Sequence, residues 1–250
     1  MALARAIAAL GVAVLAAGCT AVVGGKAQPA PNLAAGPLGG PAIEQVLLDG
    51  AALSKLLQQP FRTDAHFRPR VGGPDQLQDD GPASSDCLGV AVMLQRSVYQ
   101  PARVKGVAIE SWLHAARSVK VISVKEGVVS FPAAADADAL FAKFSEQWRK
   151  CAGTTLPLPG SAVRVTAKIT DTRVADSVLA ATVSMGLTVP GSDPAAVLEG
   201  RALGVRGNCL VEVELDFFNT SNPSHQGSGD VDTSAAQIAH ALMDRVSALS

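Results

Sequence analysis

Four cysteines have the widest range of possible chemistry in this 250-residue chain, and they lie at positions Cys19, Cys87, Cys151 and Cys209. A thiol can carry an acyl group, join a second thiol in a disulfide, bind a metal ion or act as a nucleophile. No Cys-x-x-Cys occurs, so the spacing of a metal site or a redox pair is absent.

The other groups that could catalyse a reaction or bind a metal ion form no recognisable motif. The histidines are His66, His114, His225 and His240. They fall on different predicted elements, and neither His-x-x-Glu-His nor Gly-x-Ser-x-Gly is present. Asp136 and Asp138 are neighbouring carboxylates, but acidic residues are common in the first turn of a helix, where they complement its dipole. We predict no catalytic residues, no metal site and no cofactor.

The charge of the chain argues against nucleic-acid binding. The net charge is −1, and no basic patch offers a series of phosphate contacts. Arg62, Arg68 and Arg70 could hold an anionic ligand, although a solvated loop is the simpler interpretation. Arginine outnumbers lysine, and alanine, valine and glycine are plentiful, a bias typical of a GC-rich bacterial genome.

Residues 1–19 have the layout of an export signal that ends in a cysteine. Arg5 supplies a basic start, residues 6–17 are apolar apart from Gly11, and Ala-Ala-Gly precedes Cys19. The apolar run is too short for a membrane-spanning helix but has the length of a secretory signal peptide. Its Leu-Ala-Ala-Gly-Cys ending resembles a bacterial lipoprotein signal, which implies removal of residues 1–18 and acylation of Cys19.

One residue departs from that signal pattern. Ala16 stands where lipoprotein signals usually have a large apolar residue, and Leu15 is one place further back. The alternative is an ordinary secretory signal, which would leave Cys19 unmodified and the protein secreted.

The chain after Cys19 divides by composition into a linker and a domain. Residues 20–41 are rich in Gly, Ala and Pro and have no helical or strand period, which predicts a flexible tether within the segment 19–41. Residues 42–250 have the length of one domain, although two small domains are not excluded by length alone.

Hydrophobic periodicity predicts a mixture of helices and strands in residues 42–250. Helical spacing covers 43–57, with Asp49 as the cap of a helix that starts at Gly50 and ends at Pro60, and it recurs at 86–99, 133–151 and 235–249. Alternation predicts strands within 104–113, 119–131, 163–169, 178–189 and 202–218, and loops at 60–85 and 219–230. Gly153 stands where a left-handed residue is expected beyond the helix end.

Acidic and aromatic residues in these elements have simple structural interpretations. Glu212, Glu214 and Asp216 alternate with apolar residues, so we predict that they form the solvated side of a strand. Trp148 lies on the apolar face of its helix and is predicted to be in the core. Tyr99 and Trp112 could line a cleft, but core packing is the favoured interpretation.

Several short motifs together resemble one family, the extracellular sensor domain of PknH-type mycobacterial serine/threonine kinases. They are Cys87-Leu-Gly-Val, Tyr99, Trp148-Arg-Lys-Cys151, Arg201-Ala-Leu with Arg206-Gly-Asn208, and Gln237-Ile-Ala-His-Ala-Leu-Met-Asp-Arg-Val. The resemblance covers roughly residues 43–249. Stand-alone lipoproteins carry the same domain behind a lipobox and a linker. The Gly-rich loop, His-Arg-Asp and Asp-Phe-Gly motifs of a kinase are absent from this sequence.

The resemblance implies an α+β fold, in which helices pack on an antiparallel sheet and a single domain encloses a cleft for an unidentified ligand. The family typically has two disulfides, and one of them would join Cys87 to Cys151. Cys209 would then be a buried strand thiol. From the sequence itself, pairing of Cys209 with either of the other two cysteines remains open.

These observations favour a membrane-anchored, extracytoplasmic lipoprotein with a non-catalytic sensor domain. Its expected partners are the membrane, through the lipid on Cys19, and a small or envelope-derived ligand. The alternatives are an extracytoplasmic hydrolase whose triad forms only in the fold, and an interaction protein that modulates kinase sensor signalling.

Overall fold

Alternating apolar residues build a nine-stranded sheet in the computed structural model, which describes residues 36–78, 86–158, 164–175, 177–188, 195–218 and 226–250. The strands are β1 Phe61–Thr63, β2 Arg70–Gly72, β3 Gly106–His114, β4 Val121–Ser130, β5 Thr155–Leu158, β6 Arg164–Ala175, β7 Val178–Thr188, β8 Ala195–Arg206 and β9 Cys209–Phe217. The helices are α1 Gly50–Leu57, α2 Leu88–Ala91, α3 Arg96–Tyr99, α4 Ala134–Cys151 and α5 Ser234–Leu249, with 3₁₀ helices at Gly40–Val46 and Pro74–Gln76.

The strands pair in the order β1-β3-β4-β9-β8-β7-β6-β5, and β2 also pairs with β3. All of these pairings are antiparallel. The described residues therefore form an α+β domain with helices packed on an antiparallel sheet, which confirms the predicted fold class.

Helices cover both faces of the sheet, and each face has its own apolar core. On the α4 face, Phe144 and Trp148 of α4 pack with sheet residues such as Ile169 and Leu203. On the α5 face, the 3₁₀ helix Gly40–Val46, α1 and α5 cover residues such as Val128, Val211 and Val213. Because successive strand residues point to opposite faces, β9 contributes side chains to both layers.

Helix α4 matches its prediction closely. It spans Ala134–Cys151 and buries one stripe of apolar residues, including Trp148, which is 1 % exposed. Gly153 follows the helix with φ +80°, the left-handed conformation that glycine adopts without steric cost. The burial of Trp148 confirms that it is a core residue.

The first predicted helix, 43–57, is divided in two. Asp49 caps α1 as predicted, since its Oδ1 accepts a hydrogen bond from the Ala52 N–H at 2.8 Å. The preceding residues form the 3₁₀ helix, and α1 ends at Leu57, before Pro60, because Gln58 is left-handed with φ 52°.

Three other boundaries differ from the sequence prediction. The predicted loop 60–85 contains β1 and β2, which gain their hydrogen bonds from β3. The predicted helix 86–99 is two short helices, α2 and α3, with Leu94 left-handed between them at φ 56°. The predicted strand region 202–218 belongs to β8 and β9, which meet at a turn where Gly207 has φ 54°.

The folded region begins before the predicted boundary at residue 42. Leu38 is 5 % exposed, and its N–H and carbonyl both hydrogen-bond to the Asn208 side chain at 2.8 Å. Asn208 also donates to the Phe131 carbonyl at 2.7 Å, so one amide joins the start of the domain to β9 and β4. Cys19 and the rest of the predicted tether up to residue 35 lie outside the described residues.

A disulfide joins Cys87 to Cys151 and confirms the predicted pairing. It connects the residue before α2 to the last residue of α4, so it holds these two helices together on the α4 face. Cys209 is a fully buried free thiol in β9, and burial raises its pKa to about 12. Cys209 is therefore a buried strand thiol, as predicted, rather than a reactive nucleophile.

The Cys87→Ser/Cys151→Ser double variant should lose stability because the bridge closes a loop of 64 residues. The chain-entropy model gives a loss of about 4 kcal/mol in the free energy of unfolding, measurable by urea denaturation. Cys209→Ala is the control that keeps the bridge.

In the native wild type, iodoacetamide should leave Cys209 unmodified, and a mapped disulfide containing Cys209 would contradict the assignment.

Candidate functional site

The acidic residues of β9 lie on the α4 face, where they are largely buried, so the prediction of a solvated strand side is wrong. Glu212 is 2 % exposed, and the side chain of Glu214 is 11 % exposed. Their alternation is real, but the face that they line is covered by α2 and α3. A period of two tells which residues share a face and does not tell which face meets water.

Arg201 of β8 is the reason that these carboxylates can be buried. Its guanidinium is fully enclosed and donates through Nη2 to Glu212 Oε2 at 2.9 Å. The remaining hydrogen bonds go to backbone carbonyls: Nε to Val90 at 3.1 Å, Nη1 to Val213 at 3.2 Å and Nη2 to Gly89 at 3.4 Å. Because Gly89 and Val90 belong to α2, Arg201 fastens that helix to the sheet.

Glu212 extends the same connection to α3. Its Oε1 accepts hydrogen bonds from the Tyr99 hydroxyl at 2.6 Å and from the Leu94 N–H at 3.1 Å. Leu94 lies directly over Gly127 of β4, where a Cβ would clash with the leucine side chain. Tyr99 is 1 % exposed and is therefore a core residue with a satisfied hydroxyl, as the sequence favoured.

Cross-strand neighbours on this face form three rows across β4, β9 and β8. The first row holds Gly127, Glu212 and Leu203, the second Lys125, Glu214 and Arg201, and the third Ser123, Asp216 and Glu199. We call the six ionisable residues of these rows the charged cluster. It contains four carboxylates and two cations.

In the second row, two cations flank the single carboxylate of Glu214. Lys125 Nζ lies 2.7 Å from Glu214 Oε1, and Arg201 Nη1 lies 3.8 Å from Glu214 Oε2. Burial alone would raise the pKa of Glu214, but Lys125 and Arg201 together lower it below its usual value. The Lys125 side chain is 22 % exposed and its ammonium lies 5.6 Å from the centre of the Phe67 ring.

The third row lacks a cation of its own. Glu199 and Asp216 are directly opposite each other on β8 and β9. Ser123 donates to Asp216 Oδ2 at 2.6 Å, but the buried Oε1 of Glu199 accepts no hydrogen bond. Burial, followed by the charge of Glu214, raises the pKa of both carboxyls, that of Glu199 well above 4.5.

Another buried carboxylate lies on the α5 face, away from the charged cluster. Glu126 is fully buried in β4 and accepts a hydrogen bond of 3.4 Å from the Trp112 indole N–H, while its Oε2 has no partner. Burial raises the pKa of Glu126 well above its usual value. Trp112, at 8 % exposure, is a core residue of this face as the sequence favoured.

The remaining sequence candidates do not converge on one place. Asp136 pairs with the exposed Arg103 at 3.0 Å in the first turn of α4, and the guanidinium of Arg70 stacks on Phe67. His66, His114 and His240 lie on separate elements, and His225 falls outside the described residues. Among the described residues, no group of three or more acidic, histidine or cysteine side chains is placed to hold a metal ion.

An open groove of about 580 Å³ runs beside α4 next to the disulfide. Leu140, Phe144 and Val98 form its apolar floor, and Lys143 and Lys150 contribute to its rim. The groove is separate from the charged cluster. In the described part of the chain, no helix has the length and hydropathy to cross a membrane.

The sequence pattern that defines the PknH-like extracellular domain matches residues 39–245. The chain belongs to the PknH-like extracellular domain family. A crystal structure of the extracellular domain of PknH from Mycobacterium tuberculosis superposes with a TM-score of 0.65 at 19 % identity, covering 86 % of this chain and 100 % of the other. That similarity shows a shared fold. No curated protein matches the sequence.

Five of the residues on which the resemblance was based are buried anchors of the PknH-like domain. Cys87 and Cys151 form the disulfide, Tyr99 and Arg201 meet at Glu212, and Asn208 holds the start of the domain. The charged cluster itself was missed. Its signal was present as the Glu-x-Arg of residues 199–201 beside the Glu-x-Glu-x-Asp of 212–216, which antiparallel pairing brings together.

The Arg201→Met variant should be strongly destabilised because it leaves the Glu212 carboxylate buried without a cation. Removal of one partner of a buried ion pair costs about 3–5 kcal/mol, and chemical denaturation would measure it. The control is Arg103→Met, which breaks an ion pair whose arginine side chain is 76 % exposed and should cost only about 0–1 kcal/mol.

The Arg201→Met/Glu212→Gln double variant completes that test. The combined loss should be smaller than the sum of the two single losses, since the double variant no longer buries a lone charge. Additive losses would show that the pair does not act as a unit.

The Glu199→Gln variant should gain stability relative to the wild type as the pH rises above 4.5. The raised pKa means that folded Glu199 holds a proton that the unfolded chain releases, so wild-type stability falls between 4.5 and the folded-state pKa. The variant lacks this loss, which has a limiting slope of about 1.4 kcal/mol per pH unit. Below pH 4.5 the difference should be constant, and parallel pH profiles throughout would contradict the prediction.

Proposed function

We propose that this PknH-like domain is a non-catalytic binding or sensing module, held at the extracytoplasmic face of the membrane by acyl chains on Cys19. The observation that carries the proposal is the combination of a family match over residues 39–245 with a lipoprotein-type signal that ends at Cys19. The family is defined by an extracellular domain, and the signal supplies both export and anchoring.

The physics of anchoring supports more than one acyl chain. A single chain binds a bilayer only marginally, whereas two or more give stable attachment. The segment 20–35 is rich in Gly, Ala and Pro, a composition suited to a tether between a lipidated cysteine and a folded domain. Among the described residues, Leu38 pairs with Asn208 near the start of the domain.

The half-exposed end of the charged cluster supports ligand binding on the α4 face. Ser123, Lys125 and Asp216 are partly exposed there, while the other end of the cluster is sealed by Leu94 and Tyr99. A site that combines a few fixed polar groups with an apolar surround is typical of small-molecule recognition. In the described residues no hydrogen bond joins a serine or cysteine to a histidine, the pairing that activates a serine or cysteine nucleophile.

Purification of the chain from the membranes of its own host tests both parts of the proposal. The wild type should fractionate with membranes and carry an acyl mass on Cys19, and the Cys19→Ala variant should appear in the soluble fraction without it. Native mass spectrometry of the wild type should show a co-purifying small molecule.

Each part of the proposal has its own contrary outcome. An unmodified Cys19 in a soluble wild type would show that the protein is secreted. Hydrolysis of the co-purifying molecule on incubation would show that the domain is an enzyme. A protein partner in place of a small molecule would indicate a module that modulates other sensors.

A further inference from the structure

The third row of the charged cluster is chemically incomplete, although the rest of the cluster is satisfied. Glu199 and Asp216 are cross-strand neighbours, and like charges directly opposite each other destabilise a sheet. The Glu199 residue is 2 % exposed, and its Oε1 has no hydrogen-bond partner. Arg201 Nε is 3.6 Å from that oxygen, which is beyond hydrogen-bond distance.

The cations of the cluster are already committed to other acceptors. Nε, Nη1 and Nη2 of Arg201 all donate to Glu212 or to backbone carbonyls, and its side chain has no exposed surface. Lys125 donates to Glu214 at 2.7 Å. Arg201 therefore has no exposed N–H left for a ligand, and the buried side-chain atom of the cluster that lacks a hydrogen bond is a carboxylate oxygen of Glu199.

We propose that the third row is the ligand-recognition position of the domain, and that it takes an organic cation, an ammonium or guanidinium group, on the carboxylates of Glu199 and Asp216. This inference rests on the proposed binding function. Such a group supplies an N–H donor to Glu199, whose nearest cation, Arg201, lies 3.6 Å away without a hydrogen bond, and adds positive charge beside Asp216. A metal ion fits less well, because Ca²⁺ takes roughly six to eight oxygens and this row offers two carboxylates and the Ser123 hydroxyl.

The position is reachable from one side. Asp216 and Ser123 are partly exposed, whereas Glu199 lies behind them at the buried end of the row. The raised pKa values of Glu199 and Asp216 agree with this arrangement, since a nearby cation would favour their ionised forms.

The test is a titration of the full-length chain carrying Cys19→Ala, followed by ¹H–¹⁵N NMR. The probes are n-butylammonium, putrescine and phosphoethanolamine, and butyrate and n-butanol are the anionic and neutral controls at equal ionic strength. The cations should shift the amide resonances around residues 199 and 216. Binding of phosphoethanolamine would indicate a lipid headgroup amine, and binding of the simple amines alone would indicate a free amine; either result supports the inference.

Matched variants decide whether the third row is responsible. Glu199→Gln and Asp216→Asn should each weaken cation binding at least about tenfold, since each removes a charged acceptor. Glu126→Gln alters a buried carboxylate on the α5 face that also has an oxygen without a partner, and it should leave binding unchanged. Equal binding by Glu199→Gln and the wild type, or no binding of any amine, would overturn the inference.

The inference and the proposed function fail in different ways. Binding of butyrate or n-butanol at these resonances would overturn the cation class and leave the binding function in place. A wild type that is not anchored to membranes, or that carries no co-purifying ligand in the host preparation, would instead count against the proposed function.

Discussion

The buried pair of Arg201 and Glu212 joins the helices of the α4 face to the centre of the sheet. A guanidinium and a carboxylate removed from water are tolerated only when they meet each other and their remaining hydrogen-bonding capacity is used. Here the acceptors and donors come from α2, α3 and the segment between them, so the pair fixes where those short helices lie. Helices of four residues could not hold that position by themselves.

Several local features follow from this constraint. Leu94 adopts a left-handed backbone because its N–H must reach Glu212 while its carbonyl accepts from Gln78. Its side chain fits because Gly127 lacks a Cβ. The Cys87–Cys151 bridge then holds the start of α2 against the end of α4, so a covalent bond and a buried ion pair secure the same layer.

The charged cluster changes character from one end to the other. At the sealed end each charge has a partner, which gives rigidity and no capacity for a ligand. At the half-exposed end Glu199 and Asp216 face each other, and Arg201 lies 3.6 Å from Glu199 Oε1 without donating a hydrogen bond to it. The proposed binding function would use both properties, since a rigid frame lowers the entropy cost of recognition and an unsatisfied group supplies specificity.

The sequence by itself determined the elements whose pattern is local: helix α4, the Asp49 cap and the alternating strands. The family's short motifs also identified the disulfide and the fold class. Only the tertiary structure decided which face of β9 is buried, because alternation is the same for a wet face and a covered one. It also decided the short strands β1 and β2 and the division of α2 from α3, since their hydrogen bonds come from β3 and Glu212, which are remote in the sequence.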